Sequence, residues 1–219
     1  MLQGFFAAFH ETNVTPTLLE ELQCLEMEYG DFKEVAIATS MEGRVQSQNS
    51  HSLQLLQKQL PEPPLSGHLG MAYTGSKSPE DLEKPYSTHL CANERVAIAY
   101  HGVIENRQPE WLDIETQTDG DIFLTTLNHY LEINEISPFS AMTLTIKRLQ
   151  GCFAVMALFA QEDFLVVAHR DCQVAISVDD FLTDSGSDTK ALIRLSRSVT
   201  LLKKRSPTVL YSVKGKAVN

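Results

Sequence analysis

The order of segments along the chain predicts an α+β domain in which two β-sheets lie face to face with helices on their outer sides. Three observations lead there. Runs of strand length, rich in small, β-branched or aromatic residues, recur over residues 4–9, 35–39, 67–75 and 95–104. Two stretches with apolar residues at helical spacing follow, after Asp119 and over residues 139–149. A second series of strand-like runs then opens at Gly151. Strands, then helices, then more strands suit a layered arrangement of sheets and helices.

Each element has its own signal. Residues 4–9 are small and aromatic, which suits a buried strand. Thr15-Pro16 starts a helix carrying Leu18, Leu19, Leu22 and Leu25, and Tyr29-Gly30 ends it. Val35 to Thr39 is a short strand, and Glu42-Gly43 supplies a turn. Residues 52–60 form a short helix that Pro61 stops. Gly67 to Gly75 reads as a strand followed by a loop, and the charged segment from Lys77 to Lys84 as a surface loop. Arg95 to Ile104 is continuously apolar, as a buried strand requires.

Asp119-Gly120-Asp121 leads into Ile122, Phe123, Leu127, Tyr130 and Leu131, an amphipathic helix with acids at its positive end. Met142, Ile146 and Leu149 give residues 139–149 a helical period. Phe153 to Ala160, Phe164 to His169 and Val174 to Val178 are strands separated by turn-like pieces. Thr189 to Leu195 fits a helix or a strand, and Val199 to Leu202 and Val209 to Val213 are closing strands.

With 219 residues, 43 % of them hydrophobic, and no Gly/Ser/Pro-rich linker, the chain reads as a single domain over 1–219. The net charge of −10 argues against nucleic acid or an anionic membrane as partner, since both call for clustered Lys and Arg. Lys203-Lys204-Arg205 is a short basic run of the kind found at solvated strand ends. No apolar run reaches the roughly 20 residues of a membrane span. The four cysteines (Cys24, Cys91, Cys152, Cys172) form no Cys-x-x-Cys pair and read as reduced thiols, Cys24 facing inward and Cys152 and Cys172 in the core. Cytoplasm is the expected compartment.

Ile98-Ala99-Tyr100-His101-Gly102-Val103-Ile104-Glu105-Asn106 resembles the Val-His-Asn-Gly-Ile-Ile-Glu-Asn stretch of the class II glutamine amidotransferases. Within that family it is most similar to the glutaminase domain of the glutamine–fructose-6-phosphate aminotransferases. Four further segments follow in order. Leu22 to Asp31 looks like the helix running Leu-Glu-Tyr-Arg-Gly-Tyr-Asp. Gly67-His68-Leu69-Gly70-Met71-Ala72-Tyr73-Thr74-Gly75 looks like Gly-His-Thr-Arg-Trp-Ala-Thr-His-Gly. Thr118-Asp119-Gly120-Asp121 looks like Thr-Asp-Thr-Glu, and Leu149 to Ala154 resembles Leu-x-Gly-Ala-Tyr-Ala. The resemblance implies the four-layer αββα sandwich of the N-terminal-nucleophile hydrolases.

It also implies a chemistry whose parts are mostly missing. The family attacks glutamine with a cysteine whose own α-amine acts as base. Here that position falls at Leu2 or Gln3, and neither side chain attacks a carbonyl. Leu2 is also too bulky for removal of Met1 to be expected. The arginine that grips the substrate carboxylate falls at Gly70, and a second arginine, from the helix, near Glu28. The family's Trp and His fall at Met71 and Thr74, and its oxyanion Asn at His101. Gly102 and Asp119 match; in the family Asp119 would hold the substrate's α-ammonium. The remnant of the substrate site is therefore Gly70, Thr74, His101, Gly102 and Asp119, and no cofactor is implied.

Each position has a plainer reading as well. Asp119 suits the N-cap of the following helix. Gly102 suits a turn. His101 suits a hydrogen-bonded buried imidazole. His68, His89 and His101 share no ligand spacing, so no metal site is expected. Cys91, in a Pro-flanked loop, has nothing beside it to activate a thiol. Two functions remain open. One is a glutaminase-like module that has lost hydrolysis and binds a small amino-acid-like ligand or a protein partner. The other is an active glutaminase half supplying ammonia for amino-sugar synthesis.

Overall fold

A computed structural model describes residues 4–10, 12–61, 65–75, 90–106, 118–133, 136–171, 176–182, 189–195 and 208–214. The elements run β1 (Gly4–Phe9), α1 (Thr15–Tyr29), β2 (Glu34–Met41), β3 (Arg44–Ser50), α2 (Leu53–Gln59), β4 (Leu69–Gly75), β5 (Leu90–Ala92) and β6 (Val96–Ile104). They continue as α3 (Asp119–Leu131), α4 (Pro138–Arg148), β7 (Gly151–Phe159), β8 (Phe164–Arg170), β9 (Ile176–Leu182), β10 (Thr189–Leu195) and β11 (Thr208–Lys214). The segments Lys77–Lys84, Val199–Leu202 and Lys203–Arg205 lie outside the described residues.

Two antiparallel sheets stack. One has six strands in the order β3-β2-β4-β1-β10-β9, the other five in the order β11-β8-β7-β6-β5. Three apolar layers separate the elements. Val14, Leu18 and Leu22 pack with Leu53 and Leu56 on the outer face of the six-stranded sheet, under Phe6, Val35 and Ile37. Ile98, Tyr100, Phe153 and Val155 meet Ile122, Phe123, Met142 and Ile146 of α3 and α4 on the outer face of the other sheet. Between the sheets lie Phe5, Leu69, Met71, Tyr73, Met156, Leu158 and Leu165 with a large share of alanines: Ala7, Ala36, Ala38, Ala97, Ala99 and Ala154. Short side chains let two sheets approach closely while still excluding water. The architecture is helix, sheet, sheet, helix, the αββα sandwich that the motif series implies.

Local chemistry fixes the ends of the elements. Pro16 opens α1, and Gly30 at φ +87 closes it. Glu42 and Gly43, at φ 51 and 75, form the two-residue hairpin that joins β2 to β3, with Met41 opposite Arg44. Thr118 and Asp121 make a reciprocal capping box on α3, so Thr118 is the N-cap and Asp119 the first helical residue, one position off the sequence reading. Arg170 donates to the carbonyls of Ile146 (2.8 Å) and Leu149 (2.7 Å) and closes the C-terminal end of α4. Thr189–Leu195, open between helix and strand in the sequence, is β10, held between β1 and β9.

Candidate functional site

The site-bearing positions sit at the ends of strands, where β1 begins, β4 finishes, β6 leaves its sheet and α3 starts. Gly4 lies opposite Thr74 and Phe5 opposite Tyr73 in the β1–β4 ladder. Thr74 is buried. Leu2 and Gln3, the positions matched to the family nucleophile, lie outside the described residues.

The exit of β6 is tied to the start of α3. The Ile104 amide donates to Asp119 Oδ2 at 3.1 Å, and Asp119 is 1 % exposed. A buried carboxylate at the positive end of a helix, accepting a backbone N–H, is in a setting that stabilises its charge. Gly102, in register with Phe153, has φ +126, and a Cβ there would collide with the Cys152 carbonyl oxygen and come within 2.6 Å of Phe153 Cα. Glycine is therefore required by the β6–β7 contact itself.

His101 precedes it, partly buried, and its Nδ1 is buried with no hydrogen-bond partner among the described residues. Burial holds its pKa below the ordinary histidine value, which favours a neutral imidazole. The hydrogen bond that the sequence suggested for this imidazole is not made at Nδ1 among the described residues.

Cys91 is on β5 opposite Ile98 rather than in a loop. Its sulfur packs against α3, where a Cβ on Gly120 would lie 2.8 Å from Sγ. Burial, then the neighbouring Asp121 carboxylate, pushes its pKa up to about 12. A thiol so protonated is a poor nucleophile. Iodoacetamide at pH 8 is accordingly expected to alkylate Cys24 and Cys152, both exposed, at least ten-fold faster than Cys91 in the folded protein. Peptide mass mapping of a time course checks this; equal rates would mean that Cys91 is activated. The exposure of Cys24 and Cys152 corrects the inward and core positions read from the sequence, while Cys172 and His89 lie outside the described residues.

Glu34 begins β2, which packs beside β5, and α3 packs beside β5 in turn. Glu34 lies opposite Gly75 in the β2–β4 ladder, and its carboxylate is among the charges that raise the Cys91 thiol. The end of β4 and the start of α3 thus share one side of the sandwich. Gly70 stands apart from them. It sits between Ala8 and Thr39, and a Cβ there would lie 2.7 Å from Val14 Cγ1 and 2.8 Å from Leu18 Cδ1. Its side-chain direction leads under α1, on the sheet face opposite to Met71 and Tyr73. His68 is exposed, with Nδ1 3.2 Å from the His10 carbonyl oxygen.

One motif residue has a role that the sequence did not reveal. Asn106 closes the Gly-Val-Ile-Glu-Asn run and bridges the junction of α4 and β7, donating to the Arg148 carbonyl at 2.9 Å and accepting from the Gln150 amide. Among the described residues no group of three or more His, Cys, Asp or Glu side chains could hold a metal ion. None of the described helices is long and apolar enough to cross a membrane.

No family model matches the chain. It is 30 % identical, over 91 % of its length, to the glutamine–fructose-6-phosphate aminotransferase [isomerizing] of Bartonella henselae, of which it covers 34 %. It is 27 % identical over 95 % of its length to the enzyme of the same name from Neisseria meningitidis serogroup A, covering 35 % of it. The chain thus spans about a third of the length of the curated relatives it matches. Among solved structures, a glutamine phosphoribosylpyrophosphate amidotransferase from B. subtilis, complexed with ADP and GMP, superposes with a TM-score of 0.62 at 11 % identity, over 96 % of this chain and 45 % of that one. An allosteric regulatory enzyme of purine biosynthesis gives 0.61 at 10 % identity, over 88 % of this chain and 41 % of that one. The chain is homologous to about a third of the length of the glutamine–fructose-6-phosphate aminotransferases, and it has the fold of the N-terminal-nucleophile glutamine amidotransferases.

Proposed function

We propose that this chain is a type 2 glutamine amidotransferase-like domain that no longer hydrolyses glutamine and serves, in the cytoplasm, as a binding or regulatory module. The observation that carries this reading is the absence of a nucleophile immediately ahead of β1, where the sequence has Leu2 and Gln3. Supporting it, Cys91 is held protonated and packed against α3, so it offers no replacement. Gly70 has no room for a clamp on a substrate carboxylate.

The rival reading, an active glutaminase half that supplies ammonia for amino-sugar synthesis, draws on the names of the relatives and on Gly102 and Asp119. Both residues have structural reasons to be present: Gly102 admits the β7 backbone, and Asp119 anchors the exit of β6.

The purified protein is expected to release ammonia from glutamine at the background rate, because loss of the nucleophile alone removes several orders of magnitude. A variant exposing an N-terminal Cys directly before Gly4 is expected to stay inactive, since a missing oxyanion donor costs about 2–4 kcal/mol. A coupled ammonia assay on both proteins is the measurement. Turnover on the order of 10 per second by the natural chain would establish the rival reading.

A further inference from the structure

Tyr73 stands opposite Phe5 in the β1–β4 ladder, on the face of the six-stranded sheet that meets the other sheet. Its ring does not stand off the sheet but runs along β4 toward the C-terminal end of that strand. The hydroxyl lies over Gly75, where a Cβ on that residue would collide with it, and Cζ lies 2.9 Å from the same Cβ position. Two residues of strand span about 6.8 Å, so the phenol covers the last stretch of β4. Gly75 ends β4, Gly4 begins β1 and Glu34 begins β2, yet Tyr73 at this strand-end position is only 1 % exposed. Phe5, Leu90 and Ala99 belong to the same apolar layer. A large ring laid in the slot left by a glycine, with apolar neighbours, gains the full burial of its carbons.

We propose that Tyr73 is a plug built into the fold: its phenol fills the space between the sheets where β1 begins, so the domain takes no small amino acid there. This rests on the reading above that the family nucleophile position falls immediately ahead of β1 and that the domain no longer hydrolyses glutamine. The similar family segment, Gly-His-Thr-Arg-Trp-Ala-Thr-His-Gly, has the short Thr where this chain has Tyr73, so the ring is an addition rather than a shared feature. Because its closed position is also its buried position, the plug stays closed at rest and does not act as a swinging gate.

Tyr73→Thr and Tyr73→Phe in the full chain test the plug, with p-cresol, the tyrosine side-chain analogue, as probe. Tyr73→Thr is expected to bind p-cresol by calorimetry with a dissociation constant of about a millimolar. Its Gly4, Phe5 and Gly75 amides should exchange at least ten-fold faster than in the natural chain, recover when p-cresol is added, and leave β7 and β8 unchanged. Tyr73→Phe should bind no p-cresol, because its ring still fills the same space. A folded Tyr73→Thr that takes up no p-cresol, or loses protection across both sheets alike, overturns the plug. So does submillimolar binding of glutamine or p-cresol by the natural chain. Should Tyr73→Thr not fold, Tyr73→Leu with phenol gives the same readouts and decides between the same outcomes. Ammonia release by the natural chain would sink the functional reading without deciding p-cresol uptake, so the two failures are separable.

Discussion

Gly102→Ala is expected to lower the melting temperature by about 10 °C, from roughly 4 kcal/mol of lost stability. Two costs add. The backbone at φ +126 is a conformation that side-chain-bearing residues rarely adopt, worth about 1–3 kcal/mol. The added methyl would also run into the Cys152 carbonyl and approach Phe153 Cα to 2.6 Å, and forced overpacking of this kind costs about 1–3 kcal/mol more. Gly30→Ala isolates the first cost, because Gly30 has φ +87 but nothing within 4 Å of its Cβ position. Thermal denaturation of the two variants should show the larger fall at Gly102. Equal falls would mean that the β7 backbone is not what demands glycine. Gly102 would then be free to be explained by its amide, as an oxyanion donor kept for chemistry.

That distinction shows where the sequence was legible and where it was not. Apolar runs and helical spacing announced β1, α1, β2, α2, β4, β6, α3, α4, β7 and β8, because each carries either continuous burial or a one-sided stripe. β3 gave no signal. Apart from Val45, its Arg-Val-Gln-Ser-Gln-Asn-Ser is polar, and it is a strand because the Glu42-Gly43 hairpin returns the chain along the β2 edge. β5 is three residues long and is made by pairing with β6. Motif matching named positions but not the directions of their side chains. All seven residues of β4 are buried, so the strand has no alternation from which to read which face Gly70 or Tyr73 occupies. The same limit misplaced the thiols: Cys24 lies on the exposed side of an otherwise leucine-rich helix, and Cys152 in the exposed first stretch of a strand buried further along.

Reinstating the family's residue at the clamp position, Gly70→Arg, is expected to cost at least about 4 kcal/mol and to confer no affinity for glutamine. The side-chain direction at Gly70 leads to Val14 and Leu18, both 0 % exposed, and to the Ala38 carbonyl oxygen 3.1 Å from the Cβ position. One carbonyl cannot satisfy a guanidinium with five donors, and breaking open the α1 contact to reach water would forfeit the burial of Val14 and Leu18. Gly70→Ala measures the steric share alone, about 1–3 kcal/mol, since the first carbon already lies under 3 Å from two side chains. Denaturant unfolding of both variants, with calorimetric titration of Gly70→Arg against glutamine, is the measurement. A Gly70→Arg protein as stable as the natural chain and binding glutamine below millimolar would mean that position 70 faces the pocket after all. If the arginine is instead rejected, the loss of the clamp is written into the packing of α1 on the sheet. A single substitution then cannot return this fold to glutamine chemistry, because the helix would have to move before the charge could be placed.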